Sequence, residues 1–360
     1  MSTFSYEIAK VQKAQLQAFP QGGVYGLPWY LVVGDPGSGR STAIRSMNLK
    51  WPAGDRPLEL GLPQQLCTYW MSASAVFVEP GATVFGPQRL RENLRDLCHE
   101  LRSKRPREAV DGVVVVLSAA MLADSDESTI EATGKAYRTY LSEIMGYLDA
   151  DVPVYVLVSA YDTLWGFGDA FQWRPERRKE DPWGISLPPG PPSPEVGKQI
   201  SAAVEGLISR IEAMCFHKLL GEDPPDVRSR ALQHLYEARH LVARVQTFLK
   251  VFTLATTFER VPWMRALAIG AAVPGTGQRL RYGMENFARL GLGPPHGSGT
   301  PTPGGLPIHP LMEDVMLPER DLVPLRTRWR DDKLILILFM LGVVAWLVVL
   351  AVVISGAAGR

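Results

Sequence analysis

Five apolar residues, Trp29-Tyr-Leu-Val-Val33, run without a break into Gly34-Asp-Pro-Gly-Ser-Gly-Arg-Ser41. A short, continuous apolar run bounded by glycine reads as a strand covered on both faces. A Gly-rich turn that follows such a strand and opens a helix exposes backbone N–H groups at a helix N-terminus, where they suit an anion. Few architectures other than a parallel α/β sheet place a buried strand, a glycine turn and a helix in that order. Gly34-x4-Gly39-Arg40-Ser41 has the spacing of a Walker A phosphate loop. Gly34, Gly37, Ser38, Gly39, Arg40, Ser41 and Thr42 are thus the candidate nucleotide-binding residues, and Ser41 the candidate magnesium ligand. The cofactor expected there is GTP or ATP with Mg2+. One position departs from the pattern. Arg40 stands where a lysine belongs, and a planar, forked guanidinium does not replace a compact ammonium.

The rest of the soluble part repeats the strand–helix alternation. Ala75–Val78, Gly112–Leu117 and Val152–Val158 are β-branched runs, and Ala266–Ala272 is a further strand candidate. Helices are expected at about 4–18, 87–104, 126–148, 198–220 and 226–253 from apolar spacing. Alternation of this kind predicts a doubly wound, mostly parallel sheet. Residues 172–197 are charged, then Pro-rich, and read as an excursion from the domain. Residues 290–310 are rich in Gly and Pro and lack a core-forming pattern.

Two further elements would complete a GTPase. Glu79-Pro80-Gly81 is the nearest match to a switch Asp-x-x-Gly, with a longer acid and the glycine one place early. Ser159-Ala-Tyr-Asp162 keeps the Asp of a guanine-reading motif without its Lys, so Asp162 is a candidate base-binding residue; the competing reading makes it a helix cap before Thr163. No residue is assigned a catalytic role. Hydrolysis is expected to be absent or very slow.

Other chemistries find little support. Net charge is +1 and no basic run marks a nucleic-acid partner. The three cysteines are scattered, and Cys98-His99 and Cys215-x-His217 lack a second ligand pair. A reducing compartment fits, and the N-terminus is not that of a signal peptide. Leu334–Ile354 spans about 21 residues without a charge, the length that crosses a hydrocarbon core. Arg326, Arg328, Arg330 and Lys333 precede it, so the domain is expected on the cytoplasmic side of a single-pass, tail-anchored protein.

The order of these segments resembles the IcmF/TssM-type membrane subunits of type VI secretion and related type IVB systems. The resemblance rests on Pro28-Trp-Tyr-Leu-Val-Val-Gly34 and its loop, Cys67-Thr-Tyr-Trp70 through Gly81, and Asp111–Val116. It continues through Leu157–Phe167, Asp181–Pro188, Met264–Gly270 with Gly275-Thr-Gly-Gln278, and the stretch Leu311–Val323 before the apolar run. It covers about residues 25–355. It lacks the membrane hairpin that opens family members and the periplasmic region that follows their last helix. The resemblance implies an α/β, P-loop NTPase-like (G-domain-like) fold with a helical annex, followed by one C-terminal transmembrane helix. The segments expected are an N-terminal helix (1–24), the α/β domain (25–190), a helical extension with a return strand (191–289), a linker and juxtamembrane segment (290–332) and the membrane helix (333–355). It further implies an inner-membrane scaffold that docks baseplate and smaller membrane-complex subunits. Two other roles stay open: an active membrane-tethered NTPase switch, and a regulatory decoy of a full-length relative.

Overall fold

The computed structural model describes residues 3–47, 49–52, 54, 56–62, 65–84, 91–171, 183–188, 190, 195–257, 259–271, 278, 282, 308, 310–323, 337–343 and 346. Seven strands form one sheet: β1 (Trp29–Val33), β2 (Cys67–Met71), β3 (Val76–Pro80), β4 (Gly112–Ser118), β5 (Pro153–Ser159), β6 (Gly184–Ser186) and β7 (Trp263–Ile269). Their order is β2-β3-β1-β4-β5-β7-β6. The five inner strands are parallel, and the two edges, β2 and β6, pair antiparallel with their neighbours. The apolar runs set this layout. Val113, Val115 and Leu117 point to one face, Val114 and Val116 to the other, and all are buried.

The helices are α1 (Thr3–Ala18), α2 (Arg40–Arg45), α3 (Arg91–Lys104), α4 (Ala119–Asp124), α5 (Glu127–Leu148), α6 (Phe167–Phe171), α7 (Val196–Leu220) and α8 (Pro225–Phe252). Asp126 starts α5 by accepting from the Thr129 amide at 2.7 Å, and Asp149 ends it in the left-handed region. α1, α3, α5 and α8 share one large apolar core with the first sheet face, and α7 packs along α8.

The second face is covered differently. Besides α2, its cover is Ile308 and a helical turn at Leu311–Met316, from the far end of the domain sequence. The Tyr30 hydroxyl donates to the Met316 carbonyl at 2.7 Å, and the Tyr155 hydroxyl to Glu319 at 3.1 Å. Arg265, in β7, is buried at 2% exposure and forks onto Glu319 (Nε at 3.0 and 3.1 Å), with its Nη1 donating to the Pro188 carbonyl at 2.5 Å. This pairing lets a charged residue sit inside β7. The strand accordingly begins at Trp263, three residues before the apolar run that sequence pattern picks out. Sequence pattern does not mark β2 and β6 as strands; both are short sheet edges whose sequence carries no long apolar run.

At the N-terminal ends of the parallel strands lies a buried charge cluster. The Arg105 guanidinium sits between the Tyr25 and Trp29 rings, 5.0 and 5.1 Å from their centroids, and pairs with Asp111 at 3.3 Å. Asp111 also accepts from the Trp29 amide at 2.6 Å. Burial pushes the Glu108 carboxyl up to about 8, and the Asp111 carboxyl up to about 6 against the pull of Arg105. Both folded values exceed the unfolded ones, so the folded state holds protons the unfolded chain has released. The stability this gives is full below the unfolded carboxylate range and is lost as pH rises through about 6 and about 8. Melting temperature is expected to rise as pH falls from about 9 to about 6, and Glu108→Gln to flatten the upper part of that slope in paired thermal melts.

The apolar run Leu334–Ile354 falls largely outside the described residues. Of it, residues 337–343 are helical, and Ile337 through Leu341 are 56–66% exposed. Among the described residues no helix is long and apolar enough to cross a membrane.

Candidate functional site

The loop after β1 lies where the sheet order turns. From β1 the chain crosses to β2 and β3 on one side, then returns to β4 on the other. In open α/β sheets ligands bind in the crevice at the carboxyl ends of strands at such a point. The loop's shape follows from its glycines. Gly37 and Gly39 have φ of 84° and 83°, a region that side chains rarely adopt. Gly34 has no such angle, but a Cβ there would stand 2.6 Å from the Val116 carbonyl and from Ser38 Oγ. The loop is tied to its neighbours by groups that motif spacing does not reveal. The Tyr137 hydroxyl receives the Asp35 amide at 3.0 Å, and the Ser159 hydroxyl donates to the Ser38 carbonyl. Ser38 Oγ itself is buried without a hydrogen-bond partner.

Arg40 and Ser41 begin α2, which is six residues long. Their side chains meet Glu79. Ser41 Oγ lies 3.0 and 2.9 Å from the two Glu79 oxygens and donates to that carboxylate. Arg40 Nη1 donates to the Pro80 carbonyl at 2.7 Å, and its Nε is 3.6 Å from Glu79. The Trp70 indole N–H donates to Glu79 at 3.0 Å, across the β2–β3 pair. Glu79 is buried, at 7% exposure, and three donor types converge on it. Thr42 lies within α2, where its carbonyl accepts the Ser46 amide at 3.0 Å. Thus the structure brings Arg40, Ser41 and Glu79 together. Trp70 and Tyr137 are the members that spacing alone misses; a lone aromatic in a strand or helix reads as core.

In this arrangement Ser41 and Arg40 are both engaged with β3, and each would have to turn to meet a phosphate or a magnesium ion. The hydroxyl that would take the metal is bound to a carboxylate, and the guanidinium is spent on a carbonyl. Asp162 lies in the middle of a single turn, Tyr161–Thr163, and is 2% exposed. It does not precede a helix starting at Thr163, and a base edge would reach it only if the turn opened. Around that turn, the Tyr161 hydroxyl donates to His234 Nε2 at 3.0 Å, while His234 Nδ1–H donates to the Trp165 carbonyl at 3.0 Å. Burial lowers His234 to about 4, so the ring is neutral and both nitrogens are used. Arg230 forks onto Asp169 at 3.0 and 3.1 Å beside it. The segment after β5 is therefore clamped to α8.

Comparison with known proteins places the chain. The IcmF-related N-terminal domain family matches residues 87–344, more than two thirds of the sequence. The chain belongs to that family. The IcmF-related match begins past the Gly34–Ser41 loop, so the loop plays no part in it. Type VI secretion system component TssM1 of Pseudomonas aeruginosa is 23% identical over 192 residues. That stretch is 50% of this chain and 17% of TssM1, so the chain spans only a small part of its relative's length. Among solved structures, SsGBP in complex with GDP aligns at 14% identity and a TM-score of 0.24, covering 46% of this chain and 43% of that one. A variant of SsGBP aligns at 13% identity and 0.24, covering 45% and 47%. Alignments at that TM-score transfer neither fold nor ligand.

Proposed function

We propose that this IcmF-related chain is a membrane-anchored scaffold and docking subunit of a type VI secretion apparatus. Its α/β domain faces the cytoplasm, and its Gly-rich loop does no nucleotide chemistry. The apparatus is suggested by membership in the IcmF-related family and by the likeness to TssM1. The anchor is supported by the uncharged run Leu334–Ile354 and by the apolar side chains exposed over residues 337–343. The inner membrane, with Arg326, Arg328, Arg330 and Lys333 on the cytoplasmic side, follows from the positive-inside rule. The observation that carries the scaffold reading is the Glu79 network. Phosphoryl transfer needs a cation and a magnesium ligand directed at the phosphates, and here Arg40 and Ser41 serve the β3 strand instead.

In a strain lacking the gene, Ser41→Ala is expected to restore secretion to the level of the unmodified chain. A chain ending at Asp332 is expected to be found in the soluble fraction and to restore nothing. Loss of secretion with Ser41→Ala at normal protein level, together with GTP or ATP turnover by the purified chain, would overturn the reading. Arg40→Lys tests the loop directly. A lysine loses the Pro80 contact but leaves Glu79 held by Ser41 and Trp70. Calorimetry with GTP, GDP and ATP is expected to give the same result for both proteins. Submicromolar binding by the unmodified chain that the lysine variant loses would make Arg40 a working ligand.

A further inference from the structure

The cover of the second sheet face has a direction. Ile308 starts it at the carboxyl ends of the strands: a Cβ on Gly270, just past β7, would lie 2.4 Å from Ile308 Cδ1. Met316 is held by Tyr30, which pairs with Gly112 at the start of β4. Glu319 reaches Tyr155 and Arg265, each the third residue of its strand. Val323 lines a small cavity with Val110, Leu148 and Val152, just before β4 and β5. Ile308 and residues 310–323 therefore run the length of the sheet, from the loop end to the opposite end, here called the base. The seven residues of β4 separate the two ends by roughly 20 Å.

From Val323, ten residues lead to Leu334, where the apolar run begins. Ten residues reach at most roughly 35 Å. The chain thus leaves the domain at the base, on a tether whose full reach exceeds the roughly 20 Å between the two ends, so charge decides which end meets the bilayer. The charges at the two ends differ. Around the base, Lys104 and exposed Arg107 accompany Arg102, Arg260 and Arg320, whose partners are Asp149, Asp151 and Asp321. The tether carries four more cations, Arg326, Arg328, Arg330 and Lys333, against Asp331 and Asp332. At the loop end, Asp35, Asp124, Asp126 and Glu127 are exposed, with half-buried Arg40 and Arg244 the cations near them. Attraction to anionic lipid fades within a Debye length of about 8 Å, so only the end nearest the headgroups contributes.

We propose that the domain sits base-first on the bilayer, with Arg102, Lys104, Arg107 and Arg320 against anionic phospholipid headgroups and the Gly34–Arg40 loop turned away. The proposal rests on the membrane reading of Leu334–Ile354. Base-first seating leaves the carboxyl ends of the strands and the clamped segment after β5 free to meet soluble partners.

The test uses the full chain reconstituted in vesicles of phosphatidylcholine, with or without phosphatidylglycerol. Ser103→Cys labels the base and Ser128→Cys the loop end; Cys67, Cys98 and Cys215 are buried and take up little label. Energy transfer to a headgroup dye is expected to be severalfold stronger from the base label in mixed vesicles. Omitting phosphatidylglycerol, or introducing Lys104→Glu with Arg107→Glu, is expected to bring the two labels closer together in signal. Equal transfer from both labels in mixed vesicles, or stronger transfer from Ser128→Cys, overturns base-first seating while the anchor stands. Release of the chain by an alkaline wash overturns the anchor itself, and the seating with it.

Discussion

Glu319→Ala is expected to destabilise the full chain by about 3–5 kcal/mol, because it strands a buried cation. Arg265 is 2% exposed, and Glu319 is its carboxylate partner. Removing one member of a buried pair leaves the other desolvated without compensation, which costs far more than the pair gains when intact. Tyr155 loses its acceptor at the same time. For a chain of this size the melting temperature of the detergent-solubilised protein is expected to fall by roughly 4–7 °C. Tyr155→Phe removes one neutral donor to the same carboxylate and is expected to cost about 1 kcal/mol. A fall of less than about 1 kcal/mol for Glu319→Ala would mean that Ile308 and residues 310–323 merely lie on the sheet and do not belong to its fold.

Gly166→Ala is expected to cost about 2–5 kcal/mol. Gly166 has φ of 73°, where a Cβ costs roughly 1–2 kcal/mol. That Cβ would also stand 2.2 Å from the Arg230 carbonyl in α8, and overpacking against backbone adds about 1–3 kcal/mol. The damage should concentrate at the clamp between the β5 turn and α8, because His234 Cβ lies 3.0 Å away as well. Chemical unfolding measures the total, and amide exchange of α8 locates it. Gly146→Ala is the matched control. It sits in α5 with open space around it, and alanine in a helix is expected to gain up to about 1 kcal/mol.

These two residues illustrate what a linear reading reaches. Gly166 lies in the Trp-Gly-Phe stretch that carries part of the family resemblance, yet nothing in its neighbours says that a helix about 60 residues later passes against it. Arg265 breaks an apolar run and so shifts the apparent start of β7. Only its partner, 54 residues on, explains why a strand tolerates it.

Taken alone, the amino-acid sequence determined the class of the fold. The runs Trp29–Val33, Gly112–Leu117 and Val152–Val158 had to be covered on both faces, and the helices between them left a mostly parallel sheet as the architecture. The glycines of the loop determined its turn, and α5, α7 and α8 were legible to within about two residues, because periodicity is local and reports burial directly. Tertiary structure decided the rest. The edges β2 and β6 exist only because a neighbour offers hydrogen bonds. Glu79 turns Arg40 and Ser41 inward only because β3 lies beside the loop. Ile308 and residues 310–323 read as linker and juxtamembrane sequence, but they close one face of the sheet by contacts as distant as Tyr30 with Met316. Such pairings depend on which groups are left unsatisfied once the sheet has formed, and no residue carries that information in its own neighbourhood.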